Sequence, residues 1–293
     1  MRYRISHLTR YRYGLDVANC YNLGCMSPRA LPWQRVDSSH MDVSPMPGTM
    51  EQRLDFFGNR HVFFHVNELH DALSVSVVSE VEVLPRPTED RLGESMPWET
   101  LLVWLETARD ARGLQARLLR TPTRMTPVDP VLKAFAQDVF APGMPVLEGA
   151  WRLCHRIFNE FRYDPGFTTL ATPVHTVLRQ KRGVCQDFAQ LAISALRSMG
   201  IPASYVSGYL ETVPPPGQPR MIGADASHAW FSVFDPVVGW VDFDPTNNMV
   251  PGERHVTVAF GRDYADVVPL KGLMSGGGAH ELIVEVDVMP LSH

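Results

Sequence analysis

The stretch "RGVCQDFAQLAISALRSMG" places Cys185 in the first turn of a helix, two residues after Gly183. The first amides of a helix have no partner within it, and the helix dipole adds a positive field at that end. Both favour a thiolate. With a cationic neighbour, a cysteine so placed can have its pKa lowered from about 8.5 to roughly 3.5–7.5. The same amides suit the oxyanion that forms when a thiolate attacks a carbonyl. The pattern points to nucleophilic acyl chemistry, set against a small residue that merely fits the turn.

Such a nucleophile needs a base. The chain has 11 histidines, so type alone selects none. His228 stands out because it opens the strand-like "HAWFSVF", where positions 228, 230, 232 and 234 share one face. In the following "WVDFD", Trp240, Asp242 and Asp244 share a face. A connection of three or five residues puts His228 opposite or diagonal to Asp244 on the same side of the sheet. Cross-strand neighbours lie about 4.5–5.5 Å apart and diagonals about 7–8 Å. A carboxylate there fixes the imidazole tautomer and stabilises its cation beside a thiolate. Asp242 is the rival third member. Asp244 is preferred because it ends the strand before Pro245, where a side chain can lean toward a rim.

The elements that must position these groups are legible in outline. Val184, Phe188, Leu191, Ala192, Ala195, Leu196 and Met199 form one apolar stripe. Gly200 suits the left-handed stop, and Pro202 prevents continuation. "LEGAWRLCHRIFNEF" forms a second helical face that carries Cys154, read as a core residue. "LSVSVVSEVEV" alternates as a half-buried strand does, and Gly58-Asn59 signals a turn. The spacing predicts a β module over 1–85, taken as a small sandwich, then a helical connector over 86–148 broken by Pro122, Pro127 and Pro130. The catalytic core, with its C-terminal strands, is assigned to 149–293. "VPPPGQPRMIGADAS" (213–227) reads as a loop leading into His228, either a substrate lid or passive.

Composition narrows the function. Hydrophobic residues at 45% and charged residues at 20% fit a packed globular protein, α+β by the elements above, and a net charge of -5 gives no case for nucleic acid. No apolar run is long enough to span a membrane, and "MRYRISHLTRYRYG" lacks the apolar region of a secretory signal. Four cysteines are too few for a disulfide scaffold. Together these lead to the expectation of a soluble cytoplasmic protein with reduced thiols. Cys20 and Cys25, near His7 and His40, have no second pair at finger-like spacing, so no zinc site is expected. "SGGGAH" lacks the Lys-Ser/Thr of a phosphate loop and reads as a turn.

The three segments "RGVCQDFAQLAISALRSMGIPASYVSGYL", "SHAWFSV" and "GWVDFDPTNN" resemble, in order and spacing, the transglutaminase-like superfamily, a circularly arranged cousin of papain-type proteases. "YRISHLTRYRY" and "DFFGN" resemble the N-terminal β module of its bacterial members. The resemblance implies a papain-like core with Cys185 as nucleophile, His228 as base and Asp244 as orienting carboxylate. It implies acyl transfer on peptide or protein amides, by hydrolysis, deamidation or cross-linking. The calcium sites of animal transglutaminases have no visible counterpart, and no cofactor or metal is expected. A peptide or protein is the expected partner, with no nucleic acid and no membrane. Tyr163, Gln180 and His175 are the candidates for a second oxyanion donor. The alternative is a protein that keeps this fold for binding or scaffolding without turnover.

Overall fold

The computed structural model describes residues 1–86, 88–212 and 227–291. The loop expected at 213–226 lies outside the described residues. The N-terminal part is one curled antiparallel sheet of β1 (Arg2–Gly24), β2 (Gln34–Ser44), β3 (Thr49–Leu54), β4 (Arg60–Val66) and β5 (His70–Val83). Two strands from the far end of the chain, β12 (Leu270–Gly276) and β13 (His280–Pro290), complete it. The long β1 serves two halves. Residues 2–12 pair with β5, and residues 20–24 pair with β4. On its other edge, β1 pairs with β13 and then β12. The expected sandwich thus takes the form of a curled sheet around Val17, Cys20, Phe64, Val66, Leu73, Val75 and Val77. β5 alternates buried and half-buried positions as its sequence predicts. The last strands, grouped by sequence with the catalytic core, pair instead with β1.

The helical middle comprises α1 (Trp98–Thr107), α2 (Ala111–Leu118), α3 (Pro130–Gln137) and α4 (Val146–Glu160). Asp110 and Asp129 cap α2 and α3 through their carboxylates. The short β6 (Arg162–Tyr163) and β7 (Arg182–Gly183) flank α5 (Val174–Gln180) and lead into α6 (Cys185–Ser198). The second sheet runs in the order β10-β9-β8-β11, with β8 (Ala203–Leu210), β9 (Ser227–Asp235), β10 (Gly239–Phe243) and β11 (His255–Gly261). α6 packs on β8 and β9, with α3, α4 and α5 around it. Its apolar stripe is as expected, but its polar side is buried as well, from Asp187 to Arg197. Arg197 makes this tolerable. Its guanidinium donates to the carbonyls of Leu119, Thr121, Ala203 and Arg262 and to Thr126 Oγ1. Burial still lowers its pKa to about 10. Gly200, at φ +84°, ends the helix as the sequence predicts. Ile201 N–H donates to Leu196 O and Gly200 N–H to Arg197 O.

β11 is an edge strand, and the N-terminal part covers it with side-chain amides. Gln34 Nε2 donates to Thr257 O, and its Oε1 accepts from Thr257 N–H. Asn59 does the same at Phe260, donating to its carbonyl at 2.6 Å and accepting from its N–H at 2.9 Å. Two side chains thus imitate a neighbouring strand and satisfy a free edge. No helix among the described residues is long and apolar enough to cross a membrane.

Candidate active site

The start of α6 is built around Asp187, the third residue of the helix. Its Oδ2 accepts from Val184 N–H at 2.8 Å and from Thr168 Oγ1–H at 2.6 Å. The carboxylate thereby ties the helix end to the loop before α5 and leaves Cys185 half-buried at the tip. Burial pushes the Asp187 pKa up, against these two hydrogen bonds. Gly183 is needed for space here. A Cβ on it would lie 2.8 Å from Asp187 Oδ2, and its φ is not positive. Two residues earlier the chain turns at Lys181, which adopts the left-handed conformation at φ +50°.

His228 opens the exposed end of β9 and is itself buried. Gly239 pairs with Asp235, so three residues join β9 to β10. Continuing that register puts Asp244 opposite Trp230 and diagonal to His228. The imidazole spans the diagonal, and its Nε2–H donates to Asp244 Oδ2 at 2.8 Å. Cys185 lies close enough to the ring to act on its charge, so one imidazole stands between the thiol and the carboxylate. Burial alone would lower the His228 pKa. The bond to Asp244 and the influence of the neighbouring Asp244 and Cys185 outweigh it and raise the pKa to about 10.

Asp244 has no exposed surface. Burial opposes its ionisation, yet the bonds from His228 and His255 hold it well below the usual carboxylate range. Its Oδ2 also accepts from Asn247 Nδ2–H at 2.7 Å and from His255 Nε2–H at 3.0 Å. Its Oδ1 accepts from the N–H groups of Thr246 and Asn247. Its backbone is clamped to Met249 by a pair of hydrogen bonds across the tight turn that Asn248 makes at φ +51°. One ligand atom each from His228, Asp244 and His255 lies within 4.8 Å of the others, the spacing of a metal-ligand cluster. Both imidazoles spend that atom on the carboxylate.

Asp242, the rival carboxylate, has another partner. It pairs with Arg86 at 2.9 Å, with 6% and 5% of the two side chains exposed, and the guanidinium stacks over Trp33. Of the three residues considered for the oxyanion, Tyr163 pairs with Gly183, two residues before the thiol-bearing Cys185, in the parallel β6–β7 ladder. Burial, then the charges of Cys185 and Asp187, raise the pKa of its hydroxyl. His175 is bound to Asp129 at 2.6 Å, and Gln180 is exposed at the end of α5. Cys154 is fully buried on α4, as expected. Trp230 is core and packs between His228 and His255. Trp240 is half-buried. Asn247 and His255 were not foreseen as site residues. Asn247 stands in the quoted "DPTNN", while nothing local marks His255.

Comparison with known proteins matches this architecture. A model of the bacterial transglutaminase-like N-terminal region matches residues 3–82, and one of the transglutaminase-like superfamily matches residues 133–245. An uncharacterized protein of Mycobacterium tuberculosis (strain H37Rv) is 40% identical over 297 residues, covering 99% of this chain and 93% of its own. One from Mycobacterium leprae is 33% identical over 300 residues, 99% of each. A protein-glutamine gamma-glutamyltransferase of Pseudomonas aeruginosa is 28% identical over 103 residues, 32% of this chain and 15% of its own. A crystal structure from Cytophaga hutchinsonii, described as a candidate cysteine protease, superposes with a TM-score of 0.75. It is 20% identical and covers 100% of this chain and 92% of that one.

Proposed function

This chain belongs to the transglutaminase-like superfamily, and from that premise we propose that it is a cysteine-dependent enzyme transferring the acyl group of a peptide or protein amide. The observation that carries the reading is the buried His228 imidazole, bonded to Asp244 and neighbouring the half-buried Cys185 at the tip of α6. In the proposed reaction Cys185 Sγ, as the thiolate, attacks the amide carbon. The oxyanion is received by the unpaired N–H groups of the first turn of α6 and by the Tyr163 hydroxyl. His228, protonated, gives its proton to the leaving amine as the C–N bond breaks, which leaves a thioester on Cys185. Water or a second amine then attacks the thioester and loses a proton to His228. The products are an acid or a new amide, and the thiolate–imidazolium pair is restored. Asp244 keeps the ring oriented and stabilises its charge.

The superfamily fold and the Pseudomonas relative, a protein-glutamine gamma-glutamyltransferase, agree with acyl transfer to an amine. The alternative is a protein that keeps this fold for binding without turnover. It is favoured by the large N-terminal sheet, which supplies none of the three residues. The separating test is alkylation of each cysteine by iodoacetamide from acid to alkaline pH, followed by mass spectrometry. For the enzyme, Cys185 reacts at mildly acid pH well ahead of Cys20, Cys25 and Cys154, and His228→Ala removes that lead. An accessible Cys185 whose rate ignores His228 would turn the reading toward the binding protein.

A further inference from the structure

We infer that His255 is a positioning residue of this site. From β11 its Nε2–H locks the Asp244 carboxylate, so that the carboxylate can hold His228. This rests on the function proposed above. Asp244 Oδ2 is shared by His228 on one side and His255 on the other, at 2.8 and 3.0 Å. The Asn247 side chain and the backbone N–H groups of Thr246 and Asn247 hold the carboxylate from its own turn. His255 pins the oxygen that faces His228 from β11 as well, and the donors crowded on that oxygen keep it an anion that does not take the His228 proton.

The two imidazoles are made unequal. Burial lowers the His255 pKa, against its bond to Asp244, and the nearby charges of His228 and Arg86 lower it further. His255 is therefore the neutral partner. It supplies one N–H and no competing charge, while His228 carries the proton that the reaction moves. His255 Nδ1 is buried with no hydrogen-bond partner among the described residues, in keeping with a neutral ring used from one side only. The ring is held in place. The edge-on ring of Trp230 lies 5.2 Å away at 84°, and the backbone of His255 pairs with Leu210 on β8. Its carbonyl accepts a long hydrogen bond from Arg86. The amides of Gln34 and Asn59 clamp the same strand further along.

The test compares wild type, His228→Ala, His255→Ala and His255→Gln. It reads the iodoacetamide rate at Cys185 against pH and the urea unfolding midpoint of each protein. Glutamine can offer its side-chain amide N–H where the imidazole offered Nε2–H. His255→Ala is expected to lower the Cys185 rate near pH 6 by about tenfold, the scale of one lost hydrogen bond to a charged group. His255→Gln is expected to recover most of that loss. Wild-type behaviour in His255→Ala, or equal damage in Gln and Ala at similar stability, overturns the inference. If the alanine variant does not fold, ¹⁵N-histidine NMR of the wild type decides. A neutral His255 protonated at Nε2 at pH 7 is expected, and a cationic one overturns it. A wild-type rate already indifferent to His228→Ala sinks the proposed function, and the inference with it. A His228-dependent rate untouched at His255 sinks only the inference.

Discussion

Asp244 and His228 bind protons in opposite senses, and the stability of the protein should record both. The His228 pKa rises from 6.5 unfolded to about 10 folded. Its protonated form is favoured by folding, so the stabilisation is fully present below about pH 6.5 and is lost as pH climbs through about 10. The Asp244 carboxyl is depressed on folding, so its contribution is present above the ordinary carboxylate range and disappears on acidification. Urea unfolding of wild type and His228→Ala at several pH values should show a stability gap that narrows from pH 6 to pH 10. A gap that widens over that range would contradict the assignment of the proton to His228.

At the scale of elements, the start of α6 depends on two residues sharing one small space. A methyl group at position 183 would meet Asp187 Oδ2 and Cβ at 2.8 and 2.9 Å. Gly183→Ala should therefore expel the carboxylate from Val184 N–H and Thr168, at a cost of about 1–3 kcal/mol. Asp187→Ala removes the same bonds directly. The double variant should cost clearly less than the sum of the two, read from thermal unfolding, because both break one unit. Additive losses would show that Gly183 acts elsewhere. Much of α6 was legible in sequence because its signals are local: the apolar stripe, Gly200 and Pro202. The diagonal reach from His228 to Asp244 was legible because strand alternation and a short turn fix it. His255 was not, since β10 and β11 are opposite edges of the second sheet and nothing local links the end of one to the start of the other. The Arg86 partner of Asp242 was hidden for the same reason. A contact 156 residues away leaves no periodic trace.

For the whole molecule, the N-terminal sheet acts on the site through strands it touches. Arg86 follows β5 and buries its charge against Asp242 on β10, while Gln34 and Asn59 close the edge of β11. Removing one member of a buried ion pair leaves an uncompensated charge, so Asp242→Ala should cost about 3–5 kcal/mol. Arg86→Met combined with Asp242→Leu should recover most of that, as measured by urea unfolding. If the double variant is as unstable as Asp242→Ala, the ion pair is not the source of the loss. This pairing also assigns Asp242 to joining the two sheets and leaves Asp244 alone beside His228.

The joining of β1 to β13, from Tyr3 opposite Pro290 to Tyr13 opposite His280, has a consequence for synthesis. β1 is complete at Gly24, and its last partner begins at His280. A ribosome adding about 5–20 residues per second needs roughly 10–50 s to cover that interval. Through that interval the nascent chain carries a long strand with one edge unpaired, the kind of edge that recruits strands from other chains. Safe folding in those seconds depends on what surrounds the ribosome, because the strand that closes the sheet is made long after its partner.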